Sequence, residues 1–150
     1  MISFFKKLFT QKKEVSQDTN LIDILKDDHK RLIGIYSKIN KNIQKNDFVN
    51  TQKLVGEFIS EYNKHILLED TKLYIELKEK YKEHQSILNT IKNIEKDMNG
   101  ITKVINSFEK KYINNINNSN KEEFIKNLIE IGEILTQRIE LEEERLYSLL

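Results

Sequence analysis

The chain has 150 residues, 38% hydrophobic and 33% charged, and its 25 Lys and Arg against 24 Asp and Glu leave a formal net charge of +1. That length makes about one domain with one core, and the near-cancelled charge removes the global electrostatic argument for a nucleic-acid partner. The absence of cysteine excludes disulfides, thiolate zinc sites and cysteine nucleophiles, so any bound metal must be held by histidine, carboxylate or water.

The opening MISFFKKLFTQKK sets Ile2, Phe4, Phe5, Leu8 and Phe9 among Lys6, Lys7, Lys12 and Lys13. Its apolar part falls short of the roughly 20 residues of a membrane span, and it lacks the small-residue cleavage site of a secretory signal. Two readings stay open for residues 1–18. One is a basic amphipathic segment in which residues 1–13 make weak contact with an anionic membrane surface. The other is a flexible leader whose aromatics rest on the domain that follows, at residues 19–150. The expected location is the cytoplasm, peripheral at the membrane under the first reading.

With no proline and only four glycines, little interrupts a helix. A first helix over about 20–44 follows from Leu21, Ile22, Leu25, Leu32, Ile35, Tyr36 and Ile39, with Asp18, Thr19 or Asn20 as its cap. KNDFVN breaks the pattern, and Asn46 or Asp47 caps a second helix marked by Leu54, Phe58, Tyr62, Ile66, Leu73 and Leu77 to about Lys80. In the third, Ile87, Ile91, Ile94, Met98, Ile101, Ile105, Phe108 and Tyr112 alternate steps of four and three, the stripe of a helix packed lengthwise in a bundle. After NNINNSN, Asn120 and Glu123 read as an Asn-led capping box opening a fourth helix through Phe124, Leu128, Ile131, Leu135, Ile139, Leu146 and Leu149. Four long amphipathic helices joined by short turns predict an all-α, antiparallel up-down-up-down four-helix bundle.

Folding the chain at its three turns places one polar layer across that bundle: His29 on the first helix, His65 and Glu69 on the second, Glu95 or its neighbour Asp97 on the third, and Arg138 and Glu142 on the fourth. Residues four apart share a helix face, so His65 with Glu69, and Arg138 with Glu142, aim their polar ends together. His84 falls near a turn, about 15–20 Å away at the helical rise, and is not a first-choice ligand. The decapeptides HILLEDTKLY (65–74) and RIELEEERLY (138–147) echo each other in register, except that the first opens on histidine and the second on arginine.

DDHKRL with His29, HILLEDTKLY with His65 and Glu69, and RIELEEERLY with Glu142 resemble the hemerythrin-like domains, also called HHE cation-binding domains, over residues 20–150. The resemblance implies a non-haem iron centre inside the bundle, with histidines as terminal ligands and bridging carboxylates between two metals. His29, His65, Glu69 and Glu142 match the family positions, whereas Arg138 stands where a histidine ligand is expected. The oxygen carriers of this family use five histidines and this chain has three. A typical oxygen carrier is therefore not expected. The remaining set suits one iron, or a carboxylate-rich pair in which Glu95, or Asp97, replaces a histidine, in a domain that binds metal or senses a small diatomic ligand.

A second reading stands beside it. Buried carboxylates require positive partners, and the planar fork of Arg138 can supply one in place of a metal. The chain is then a metal-free helical module that binds a partner protein. Tyr74 and Tyr147 pack over the layer, or orient a ligand through their hydroxyls. No nucleophile with an associated base and no phosphate-cradling glycine loop is present, so enzymatic turnover is not the expectation.

Overall fold

The computed structural model describes residues 19–150; the basic segment at residues 1–18 lies outside the described residues. Five α segments follow in order: α1 (Thr19–Gln44), α2 (Phe48–Leu68), α3 (Tyr74–Lys80), α4 (Gln85–Tyr112) and α5 (Lys121–Leu141). A π-helical turn at Glu69–Leu73 joins α2 to α3 without a break, and a second at Glu142–Leu146 extends α5 into a 3-10 turn at Tyr147–Leu149. The described residues thus make four helical rods, with no strand among them.

The π turns follow from the spacing of the buried residues. Along α2, Thr51, Val55, Phe58, Tyr62 and His65 alternate steps of four and three, which keeps one face inward. From His65 onward Glu69, Leu73 and Leu77 keep inward in successive steps of four, with Tyr74 buried beside Leu73. At about 3.6 residues per turn, consecutive steps of four would walk round the helix by about 40° each. One wider turn absorbs the extra residue: the Tyr74 amide donates to the Glu69 carbonyl five residues back. The fourth rod repeats the device, with Arg138, Glu142 and Leu146 inward in fours and the Tyr147 amide donating to the Glu142 carbonyl.

Asn46 and Asn114 take left-handed backbone conformations, both at φ 60°, where α1 and α4 have just ended; asparagine tolerates this region better than most residues. Asp47 caps α2 by accepting from the Asn50 amide at 3.1 Å. The capping box expected at Asn120 is not formed. Its side chain turns back into the loop instead, accepting from the Asn117 amide at 2.9 Å and donating to the Asn115 carbonyl at 2.6 Å, while Glu123 pairs with Lys111.

Contacts at the two ends are consistent with a four-helix bundle. At one, Gln52 donates to the Tyr112 carbonyl and Lys121 to Asn46. At the other, Lys80 and Tyr81 donate to the Leu149 carbonyl. Between the ends the apolar core is split in two. Leu32, Phe58, Tyr62, Met98 and Leu135 belong to the larger part, and Leu25, Leu73, Tyr74, Ile94 and Leu146 to the smaller. His29 lies between Leu25 and Leu32 in the α1 stripe, His65 and Glu69 between Tyr62 and Leu73, and Arg138 and Glu142 between Leu135 and Leu146, so the division is the polar layer itself. No helix among the described residues is long and apolar enough to cross a membrane.

Candidate metal centre

Three of the four rods carry their polar residues at core positions of the apolar stripe, so burial is imposed by the fold. Glu69 is 0% exposed, Glu142 1%, His29 1%, His65 3% and Arg138 4%. Desolvating so many ionisable groups is costly unless they satisfy one another or share a cation.

Two histidines define the centre. Nδ1 of His65 lies 3.0 Å from Oδ2 of Asp28, and Nδ1 of His29 lies 2.8 Å from Oε2 of Glu143. Ionised carboxylates only accept, so both Nδ1 atoms carry the proton. In the neutral rings both Nε2 atoms then present lone pairs, and these atoms are 3.1 Å apart. Glu142 Oε1 completes the group at 2.9 Å from His29 Nε2 and 3.6 Å from His65 Nε2. His29, His65 and Glu142 each offer one ligand atom within 4.8 Å of the others. Three acceptors converge with one hydroxyl, that of Tyr147, as a donor beside them, and further protons or a metal cation between them relieve the repulsion that remains.

The titration behaviour has the same origin. Burial alone would lower the His65 pKa, but the Asp28 hydrogen bond and the nearby Glu142 and Glu69 outweigh it and raise it to about 10. His29 is also raised: burial opposes the shift, and Glu142 and Glu143 overcome it. Burial lifts Glu69 to about 8, helped by the Glu142 charge. Burial pushes Glu142 up too, yet hydrogen bonds from both histidines and the Arg138 charge hold it well below the usual carboxylate range.

Arg138 is held from three sides. Its Nε donates to Glu142 Oε2 at 2.8 Å, one terminal nitrogen to the Ile94 carbonyl at 3.0 Å, and the other to the Tyr74 hydroxyl at 2.8 Å. Tyr147 stacks on His29 with ring centroids 5.7 Å apart. Its hydroxyl lies 3.1 Å from both Glu69 Oε2 and Glu142 Oε1. Glu69 turns its other oxygen, Oε1, toward His65 Nε2 at 3.6 Å. Among the described residues Glu69 Oε1 and Glu143 Oε1 are buried without a hydrogen-bond partner. A buried acceptor left this way costs about 1–3 kcal/mol, and a cation beside Glu69 would remove that cost.

Of the residues expected from the sequence, the structure brings together His29, His65, Glu69, Glu142, Arg138, Tyr74 and Tyr147. It does not bring Glu95 or Asp97 to them. Glu95 is half-buried and paired with Lys78 Nζ at 2.9 Å, and Asp97 is exposed. α4 reaches the layer through the Ile94 backbone carbonyl instead, because the inward position there is apolar. His84 is exposed beside Tyr81. Asp28 and Glu143 were not legible in the sequence. Asp28 serves a histidine on another rod, and Glu143 faces His29 although its neighbour Glu142 also points inward, at the start of the second π turn.

The family model described as the hemerythrin HHE cation binding domain matches residues 20–150. No curated protein and no solved structure matches the chain.

Proposed function

The chain belongs to the hemerythrin HHE cation-binding family, and from that premise we propose that its up-down-up-down bundle holds iron at His29, His65 and Glu142, with Glu69 as the neighbouring carboxylate. The carrying observation is the pair of facing Nε2 atoms, each ring fixed through Nδ1 by its own carboxylate. This is the orientation that metal-binding histidines require, and such carboxylate partners keep the ring in the correct tautomer. Imidazole and carboxylate donors suit iron. Bound iron would supply an exchangeable coordination position and a change of oxidation state, the two properties that a sensing domain reads.

Arg138 sets the character of the site. A guanidinium offers no lone pair, so the fourth rod contributes one carboxylate and a fixed positive charge where the family resemblance places a ligand. With Glu95 and Asp97 outside the layer, that arrangement supports a single iron over a carboxylate-rich pair or the five-histidine centre of an oxygen carrier. Anaerobic reconstitution with ferrous iron should give about one metal per chain, and His65→Ala should lose it. Metal content unchanged in that variant would sink the assignment. At a free metal concentration about 100-fold above Kd, binding to the folded state alone adds about 2.7 kcal/mol. For a chain of this size that is a rise of about 5–10 °C in Tm.

The three hydrogen bonds of Arg138 favour one second reading. With Glu142 already neutralised by an arginine, the layer persists without metal and the domain acts as a helical module for a partner protein. In that case a strong chelator leaves Tm unchanged. A chelator-induced drop of several degrees supports the iron site and removes the alternative.

A further inference from the structure

A cavity of about 280 Å³ enters the bundle between α1 and α5. Its rim is formed by Ser37 and Asn40, both exposed. Leu32, Ile33, Phe58, Met98, Leu135 and Ile139 make its walls, and its floor is His29, His65, Arg138 and Glu142. The volume is roughly twice the ~150 Å³ of an engineered apolar core cavity that stays dry and takes up benzene.

The cavity is held open by a specific contact. Tyr36 lies along its wall and reaches from α1 to α5, where its hydroxyl donates to the Leu128 carbonyl at 2.8 Å. A Cβ at Gly132 would overlap that hydroxyl, so only glycine lets the tyrosine cross at this height. The ring thereby fixes the two helices at the mouth, and the space behind it is lined mainly by aliphatic and aromatic side chains.

Charge at the floor selects the occupant. Among the described residues Arg138 is the only lining side chain with a permanent positive charge, and it is committed to Glu142, the Ile94 carbonyl and Tyr74. Glu142, the only lining carboxylate, is committed to Arg138, His29 and Tyr147. The lining histidines, when protonated, are likewise taken up by Glu143, Glu142 and Asp28. Among the described residues an anionic guest therefore finds no unpaired cation and a cationic guest no unpaired carboxylate, and either would lose its hydration in an apolar channel. We propose that this cavity binds a small, neutral, largely apolar organic molecule, about the size of a substituted benzene, with its inner end against the His29, His65 and Glu142 floor. Such a guest covers the face of the polar layer that opens into the cavity.

Toluene is a suitable probe, with hexanoate and hexylamine as charged counterparts. The full chain, chelator-treated and iron-loaded in parallel, is titrated and followed by calorimetry and methyl NMR. Toluene should saturate at one per chain and shift the methyl signals of Leu32, Met98 and Leu135. Leu135→Phe, which fills the wall, and Ile33→Trp, at the half-buried outer part, should each raise Kd at least tenfold. The charged probes should bind at least tenfold more weakly than toluene. The proposal is overturned if toluene fails to saturate any folded form, if both variants bind it unchanged, or if a charged probe binds as tightly. Saturation of the chelator-treated chain requires no iron, so the outcome is separable from metal uptake.

Discussion

The segments 65–74 and 138–147 share a frame and differ in their first residue. Each enters a π turn at its glutamate, Glu69 or Glu142, and each follows with an inward leucine and a tyrosine. The tyrosines cross over: Tyr74 of the first segment accepts from Arg138 of the second, and Tyr147 of the second reaches Glu69 of the first. Within this common scaffold His65 turns a lone pair to the centre, while Arg138 turns one donor to Glu142 and two away from the centre, to the Ile94 carbonyl and Tyr74. One frame therefore carries two electrical roles, a site for a movable cation and a built-in fixed one. Glu142 is where they meet, accepting from Arg138 through one oxygen and facing His29 and His65 through the other.

Removing that meeting point should have the largest effect. Glu142→Ala leaves Arg138 and both histidines buried without their shared acceptor, and breaking a buried charge pair typically costs about 3–5 kcal/mol. Thermal melts in chelator should fall by about 6–20 °C, and iron uptake should be lost. If the variant melts within 2 °C or so of the parent, Arg138 is not neutralising a buried charge and the contrast between the segments collapses.

Arg138→His tests the contrast directly, because it makes the second segment open as the first does. Metal content should rise from about one toward two per chain. Without metal the variant should be less stable by about 1–3 kcal/mol, since Glu142, the Ile94 carbonyl and Tyr74 each lose a donor. Elemental analysis and chemical denaturation read the two effects separately. An unchanged metal ratio would show that the missing histidine is not what limits the site.

The same comparison explains what the sequence could and could not disclose. The four helices were legible because the apolar residues keep a step of four and three, as from Ile87 to Tyr112. The shared height of His29, His65 and Glu142 was legible because the turns fix the register of neighbouring rods. The π turns were visible only as runs of fours after His65 and Arg138, which an ordinary helix reading treats as noise. Their effect on Glu143 was hidden, since adjacent residues on a regular helix are about 100° apart and do not both face inward. Asp28 adjoins His29 in sequence but bonds His65 across the bundle, a pairing that depends on helix rotation more than on spacing. Glu95 misled for the same reason: it sits at the right height, one residue away from the inward position held by Ile94.

The smallest effects separate the two tyrosines. Tyr74→Phe removes one of three acceptors from Arg138 and touches neither histidine, so it should cost about 1 kcal/mol and leave metal affinity alone. Tyr147→Phe should cost a similar amount in stability, but its hydroxyl lies 3.1 Å from Glu69 and Glu142 and 3.3 Å from His29 Nε2. Groups that orient ligands in this way typically alter metal affinity about 10–100-fold when removed. Competition against a chelator of known affinity should therefore show a shift for Tyr147→Phe and none for Tyr74→Phe. Equal shifts would mean that the arginine and histidine halves are not electrically distinct and that the layer responds as a single network, in which loosening either end displaces the ligands.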